Sequence, residues 1–183
     1  EALPARAVDV DYARLPVSPH ETCRFFVVHS VGYKNLAVSV KQGRWAVARR
    51  RAPALNTAFN SVDRVIFLFS VRDSKHFQGC AQMMAPVPPS DPADASLWSP
   101  LFHVRWLRIC ELPFRGCAFL KNPYDAGRSV IRSRDCQELH PTEGPKVLAL
   151  LWEQPEVELH EDAMQGELEL YEFTLPDAYD EPY

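Results

Sequence analysis

The sequence contains few glycines and no apolar run long enough to cross a membrane. Only 7 of its 183 residues are glycine, and neither GxxxxGK[S/T] nor GxSxG occurs. We therefore expect neither a glycine-rich phosphate loop nor the nucleophile elbow of many hydrolases. The longest uncharged apolar run near the middle of the chain, residues 65–71, is far shorter than the roughly 20 residues of a membrane-spanning helix. We expect no membrane partner. No basic-then-apolar leader opens the chain, which predicts no secretory signal, and a start at Glu1 suggests part of a longer protein.

The five cysteines do not form a pattern typical of metal or disulfide sites. Their number is odd, no CxxC pair occurs, and no two histidines are spaced HxxxH. We therefore expect reduced thiols, no bound metal and no cofactor. Cys136 and His140 lie close together in RDCQELH and would suit a thiol nucleophile with its base. Such partners usually meet through the fold rather than through local spacing, so this pair is weak support for an enzyme.

Basic residues are absent from the end of the chain. All 20 Lys and Arg lie in residues 1–146, which hold 13 of the 24 acidic residues, so this body carries a formal charge of +7. From residue 147 onward there are 11 acidic and no basic residues. A basic body suits a polyanion such as nucleic acid, although solvated surface charge alone would explain it. The acidic end could cover the basic surface, stay solvated, or pack through Leu168, Leu170 and Phe173.

The hydrophobic pattern predicts a mixed α/β domain in which strands outnumber helices. Residues 1–21 mix proline with polar residues and predict a flexible lead-in, and residues 85–100 hold five prolines and predict an irregular loop. We expect a curved or barrel-like sheet flanked by helices. The apolar run at 65–71 should be its buried central strand. The other predicted strands are 24–30, 44–48, 76–84 and 102–112, and the predicted helices are 35–42, 54–62 and 144–152.

Two tryptophans and two arginine groups suggest a site for single-stranded nucleic acid. Trp45 precedes the triplet that begins at Arg49, Trp98 lies in the proline-rich loop, and Arg132 and Arg134 form a second basic group. Indole faces stack on bases, and guanidinium groups bind phosphates. Core packing of the tryptophans and an exposed basic loop remain the simpler alternatives.

The order of several sequence blocks resembles the YTH domain family. From residue 24 to about residue 158 the chain shows RFFVVHS, NLAVSVKQGRWA, LNTAFNSVDRVIFLFSVRDSKHFQG, WSPLFHVRWLRICELPF, LKNPY and SRDCQEL. The variants HFQGCAQM, CELPF, NPY and RDCQEL are similar to the YTH domains joined to the 30 kDa subunit of the cleavage and polyadenylation specificity factor in plants and apicomplexan parasites. The resemblance implies a PUA-like fold with a curved six-stranded sheet over residues 22–158, followed by an acidic extension at 159–183.

The resemblance also implies an aromatic cage for N(6)-methyladenosine in RNA. It assigns Trp45 and Trp98 to cage walls, Asn35 to the adenine ring, and the backbone around Ala46 to the remaining amino hydrogen. Ser30 and Val31 would line the adjoining end of the first strand, and Leu101 or Leu97 would supply a third cage wall. Expected contacts to RNA phosphates are Arg134, Arg132, Arg49 and His29, the last at a position where the family often has Lys.

The implied function is that of a reader of methylated single-stranded mRNA and not of an enzyme. The subunit that carries such domains implies nuclear mRNA 3'-end processing and polyadenylation, with other subunits of that complex as partners. The main alternative is a protein-interaction module that uses the acidic extension, and a base-modifying or RNA-cleaving enzyme is a third. Two indoles facing across an electropositive pocket would favour the reader, whereas a Trp45 buried in the core would favour the interaction module.

Overall fold

The computed structural model describes residues 6–158. Six strands form the main sheet: β1 (Cys23–Ser30), β2 (Arg44–Trp45), β3 (Arg64–Val71), β4 (His76–Met83), β5 (Phe102–Pro113) and β8 (Gln137–Leu139). Two short strands, β6 (Lys121–Asn122) and β7 (Arg128–Ser129), form a separate ribbon that sequence reasoning did not predict. The helices are α1 (Tyr33–Gln42), α2 (Ala52–Ser61) and α3 (Gly144–Glu153). Single 3-10 turns lie at Tyr12–Arg14, Arg49–Arg51, Phe114–Gly116, Pro123–Asp125 and Val130–Arg132.

The main sheet is a curled half-barrel with the strand order β2-β5-β4-β3-β1-β8. β1 and β3 are parallel, and the other neighbours are antiparallel. The prediction that residues 65–71 form a buried central strand is confirmed, because every one of them is buried in β3. The predicted strand at 44–48 is regular only at 44–45, and Ala48 forms an isolated bridge with Trp98.

Apolar side chains of the central strands are divided between the two faces of the sheet. Phe25 and Ile66 point to one face, where they pack with Leu148 of α3. Phe67 and Phe69 belong to the other face, where Leu36 of α1 and Leu55 of α2 cover them. Because helices cover both faces, β1 and β3 carry unbroken apolar runs at residues 25–28 and 65–69 instead of alternating with polar residues.

α1 ends at Gly43, as the sequence predicts. Gly43 has φ +66°, and its N–H donates to the carbonyl of Ser39 at 2.8 Å. A glycine adopts this left-handed conformation at little steric cost and terminates the helix. The Gly43 carbonyl then accepts from the N–H of Val104 at 2.9 Å. The turn therefore places β2, and with it Trp45, against the start of β5.

The described part of the predicted flexible lead-in, residues 6–21, packs on the domain. Val17 is 4% exposed, and Tyr12 and Leu15 lie against the same apolar cluster. Glu21 accepts two hydrogen bonds from the Arg64 guanidinium, at 2.9 and 3.0 Å. This part therefore contacts the domain through the buried Val17 and the half-buried Tyr12 and Leu15, which the expectation of a flexible lead-in did not include. The acidic extension at 159–183 lies outside the described residues. Among the residues that the structure describes, no helix is long and apolar enough to span a membrane.

Candidate nucleic-acid interface

Trp45 lies at the end of β2 in an aromatic cluster. The Trp45 and Phe69 rings are nearly perpendicular, with their centroids 4.9 Å apart and their planes at 88°. The centroid of the Phe69 ring is also 4.5 Å from that of Trp106. The Trp45 side chain is 5% exposed, which is more buried than an open cage wall would be. Its indole Nε1–H has no hydrogen-bond acceptor among the described residues. A buried donor without an acceptor costs about 1–3 kcal/mol, so simple core packing leaves this nitrogen unexplained.

The loop that carries Trp98 is fixed to the segment that follows Trp45. The Ser99 N–H donates to the carbonyl of Val47 at 2.7 Å, and the Arg49 N–H donates to the carbonyl of Leu97 at 2.8 Å. The Ser99 hydroxyl also accepts from the N–H of Val47 at 3.1 Å. These bonds surround the antiparallel bridge between Ala48 and Trp98. The structure thus brings the two tryptophan-bearing segments side by side.

Arg49 clamps this loop. Its guanidinium donates to the carbonyl of Trp98 at 3.0 Å and to the carbonyl of Asp94 at 2.9 Å, and it lies 3.1 Å from the Asp94 carboxylate. In this structure the Arg49 guanidinium is engaged within the loop, and its predicted role as a phosphate contact stays a prediction. Nothing in the sequence indicated Asp94 as the partner, because 45 residues separate the two along the chain.

Three residues predicted to contact the base, Ser30, Val31 and Asn35, lie where β1 ends and α1 begins. Ser30 is buried, and its hydroxyl donates to the carbonyl of Gly32 at 2.8 Å, which shapes the turn into α1. Asn35 is buried in the first turn of α1. Because α1 packs against β1 and β2, Ser30, Asn35 and Trp45 belong to one region of the fold. Ala46 is also buried, and Val31 and Leu101 are exposed.

The loop at residues 132–135 is fixed to the end of β1 by His29 and Asp135. The His29 N–H donates to the Asp135 carboxylate at 2.9 Å, and the His29 ring Nε2 lies 2.8 Å from the carbonyl of Ser133. His29 is buried and makes these internal contacts, and its predicted role as a phosphate contact stays a prediction. Arg132 and Arg134 are exposed on the same loop. The structure therefore brings these two predicted phosphate contacts to the neighbourhood of Ser30.

The buried His29–Asp135 pair is electrostatically coupled. Burial lowers the pKa of His29 below its ordinary value, and the nearby Asp135 carboxylate opposes that shift only in part. Burial raises the pKa of Asp135, while His29, Arg51 and Arg50 act in the opposite direction. A neutral His29 ring with its proton on Nε2 donates to the Ser133 carbonyl and holds the arginine-bearing loop in place.

The Cys136 and His140 side chains do not form a nucleophile and base. Burial raises the pKa of the Cys136 thiol well above its ordinary value, and Asp135 raises it further, which opposes the thiolate form. The His140 ring Nδ1 lies 2.8 Å from the Thr142 hydroxyl. Within residues 6–158, no group of three or more His, Cys, Asp and Glu side chains is placed to hold a metal ion.

Comparison with known proteins agrees with this geometry. The family model of the YT521-B-like domain, YTH, matches residues 23–152. The 30-kDa cleavage and polyadenylation specificity factor 30 of Arabidopsis thaliana is 40% identical over 148 residues, which are 77% of this chain and 24% of that protein. The chain thus spans about a quarter of the length of this relative.

Two solved structures of one Toxoplasma domain are similar to this fold. The Toxoplasma CPSF4-YTH domain in apo form is 30% identical with a TM-score of 0.71, covering 77% of this chain and 93% of that one. The same domain in complex with a 7-mer m6A-modified RNA is 29% identical with a TM-score of 0.67, covering 79% and 98%. The resemblance drawn from the sequence is confirmed, and the chain belongs to the YTH family.

Proposed function

We propose that this domain binds N(6)-methyladenosine in single-stranded RNA, with Trp45 and Trp98 on either side of the base. The observation that carries the proposal is the pairing of residues 47–49 with residues 97–99, which holds both tryptophan-bearing segments together. The proposal is supported by family membership and by the Toxoplasma domain solved with m6A-modified RNA. Together these outweigh the burial of Trp45, which alone would favour the protein-interaction module.

The chemistry of the methylated base suits these residues. A methylated adenine amino group keeps one hydrogen, which a backbone carbonyl around Ala46 would accept. The Asn35 side chain would bind the adenine ring, and Val31 and Leu101 would add apolar contact. Stacking contributes about 1–3 kcal/mol per base, and burying one methyl group contributes about 0.8 kcal/mol. Exclusion of misfit water from the cage would add to this, so we expect discrimination against plain adenosine of roughly tenfold to a hundredfold.

The exposed Arg134 and Arg132 side chains are the proposed phosphate contacts. Neither forms an ion pair within the described residues, so both guanidinium groups are available to the RNA backbone. Phosphate contacts position the RNA without reading its sequence. They should therefore contribute equally to methylated and plain RNA.

The YTH domain is an RNA-binding module rather than a catalytic one. We infer that its cellular role lies in nuclear mRNA 3'-end processing, with other subunits of that complex as partners. This inference is supported by the name of the Arabidopsis relative. Because the chain spans only a quarter of that relative, localisation and partners require tests on the whole protein.

The decisive experiment compares one short single-stranded RNA with and without the methyl group. The unsubstituted chain should bind the methylated RNA about tenfold or more tightly. Trp98→Ala should remove most of this preference, since one stacking face is worth about 1–3 kcal/mol. Pro92→Ala is the control, because Pro92 is exposed in the same loop and is not among the residues predicted to contact the RNA. Equal affinities of the unsubstituted chain for both RNAs would refute the proposed function.

A further inference from the structure

The short strand β2 lies at one edge of the main sheet, and its two residues point to opposite faces. Trp45 packs in the apolar cluster that α1 and α2 cover. Arg44 is exposed on the other face, which is the face of α3. Because the two residues are adjacent in the chain, an RNA bound at Trp45 has only this edge to pass before it reaches Arg44.

The neighbouring strand β5 continues that face with two further basic side chains. Val104 and Trp106 belong to the apolar cluster beneath α1. The alternate residues of the strand, His103 and Arg105, therefore point to the face of Arg44, and both are exposed. Arg44 lies opposite His103 in the antiparallel pairing, which places their Cβ atoms about 4.5–5.5 Å apart. Arg105 follows about 7 Å farther along β5. We call Arg44, His103 and Arg105 the basic strip.

The Arg105 guanidinium is held beside a second cation without a carboxylate of its own. It donates to the side-chain oxygen of Gln82 at 3.2 Å, and the Arg64 guanidinium donates to the same oxygen at 2.9 Å. Glu21 compensates the charge of Arg64 through two hydrogen bonds. Arg105 forms no ion pair within residues 6–158. Two cations that converge on one neutral oxygen favour an anion beside them.

The other end of the basic strip also presents groups that suit an anion. Arg44 has no carboxylate within ion-pair distance in the described part of the chain. The His103 ring beside it is oriented by its Nδ1, which lies 2.8 Å from the Gly43 carbonyl. Because a carbonyl oxygen only accepts, Nδ1 donates in this contact, and Nε2 is the ring nitrogen left to meet a ligand.

The position and the spacing of the basic strip suit the backbone of an RNA whose base is bound at Trp45. Guanidinium groups bind phosphates strongly and with defined geometry, and the strip begins one residue from the proposed base site. We propose that Arg44, His103 and Arg105 bind the sugar-phosphate backbone of nucleotides that flank the methylated adenosine. This inference rests on the proposed function, because it takes Trp45 and Trp98 as the base site.

The test compares a short RNA with two longer ones on the full chain. The short RNA has five nucleotides centred on the methylated adenosine, and the longer ones add six nucleotides at the 5' end or at the 3' end. At about 0.05 M salt, one of the longer RNAs should bind the unsubstituted chain about tenfold more tightly than the short RNA. The double variant Arg44→Gln/Arg105→Gln should lose most of this gain and bind the short RNA within about twofold of the unsubstituted chain. The slope of log K against log[salt] for the longer RNA should fall by about 0.7 to 1 for each arginine.

Two further double variants control for net charge and for loss of the fold. Arg115→Gln/Lys121→Gln removes the same charge at exposed positions outside the strip, since Arg115 follows the far end of β5 and Lys121 lies in β6. It should keep the gain from the longer RNA. Arg44→Lys/Arg105→Lys retains both charges and should keep most of the gain, because the contact is mainly electrostatic.

Four outcomes would overturn the proposal. They are equal binding of the short and the longer RNAs by the unsubstituted chain, an unchanged gain in Arg44→Gln/Arg105→Gln, an equal loss in the charge-matched control, and an equal loss for the short RNA. The third would assign the effect to net charge, and the fourth would assign it to the base site or to another part of the fold. The preference of the short RNA for the methyl group tests the proposed function separately, so the two failures are distinguishable.

Discussion

The variant Arg49→Ala distinguishes two roles of Arg49, which are ordering the loop of Trp98 and contacting an RNA phosphate. The Arg49 side chain makes three polar contacts to the loop at Asp94 and Trp98, and it is 26% exposed. A partly exposed, charge-assisted network of this kind should contribute about 1–2 kcal/mol to loop order, less than a fully buried one. If binding needs the ordered loop, Arg49→Ala should weaken methylated RNA by about 5- to 30-fold.

The salt dependence of binding tells the two roles apart. A lost phosphate contact lowers the slope of log K against log[salt] by about one and affects all RNAs alike. Arg134→Ala should show that behaviour, because its side chain is exposed. Arg49→Ala should leave this slope unchanged. It should lower the affinity for methylated RNA more than that for plain RNA, because Arg49 holds the loop that carries Trp98.

Titrations of both RNAs at four or more salt concentrations measure these quantities. Circular dichroism and a thermal melt on each variant control for loss of the fold. If Arg49→Ala lowers the affinity for both RNAs equally and reduces the slope of log K against log[salt] by about one, the clamp is refuted and Arg49 is a phosphate contact.

Two further predictions concern stability. Gly79→Ala should destabilise the domain by about 3 kcal/mol or more, because φ is +139° and a Cβ would collide with the Arg108 carbonyl; a thermal melt within a few degrees of the unsubstituted protein would contradict this. His29 has a folded-state pKa below its unfolded value, so its contribution to stability is present at high pH and is lost as the pH falls below about 6.5. Denaturant titrations of the unsubstituted protein and of His29→Gln, from about pH 7.5 to pH 5.5, measure this loss. The free energy of unfolding should fall less with decreasing pH in His29→Gln. An identical pH dependence in the two proteins would exclude His29 as the source of the loss.

Elements that depend on local sequence were well predicted. The run at 65–71 is apolar throughout because β3 is covered on both faces, and that composition is visible without the fold. The end of α1 followed from Gly43, since a left-handed terminus favours glycine. Strand 44–48 was predicted too long, because Trp45 to Ala48 turn from β5 toward the proline-rich loop. No local sequence pattern indicates that this segment pairs first with β5 and then with the loop of Trp98.

The sequence indicates residue types for the proposed site but not the contacts that those residues make. Tryptophans in irregular segments and clustered arginines are features of composition and spacing, and they pointed to Trp45, Trp98 and Arg134. Which arginine faces solvent depends on acceptors far along the chain. Arg49 finds Asp94, 45 residues away, and His29 finds Ser133, 104 residues away.

The sequence by itself determined the helices and the long strands, the family resemblance and the uneven charge, because these depend on neighbouring residues and on totals. Only the tertiary structure decided that Arg49 holds the loop of Trp98, that His29 holds the loop at residues 132–135, and that Trp45 is buried against Phe69. Each of these depends on contacts between distant segments. Such contacts are set by how the sheet curls and by how its loops pack, which no window of the sequence contains.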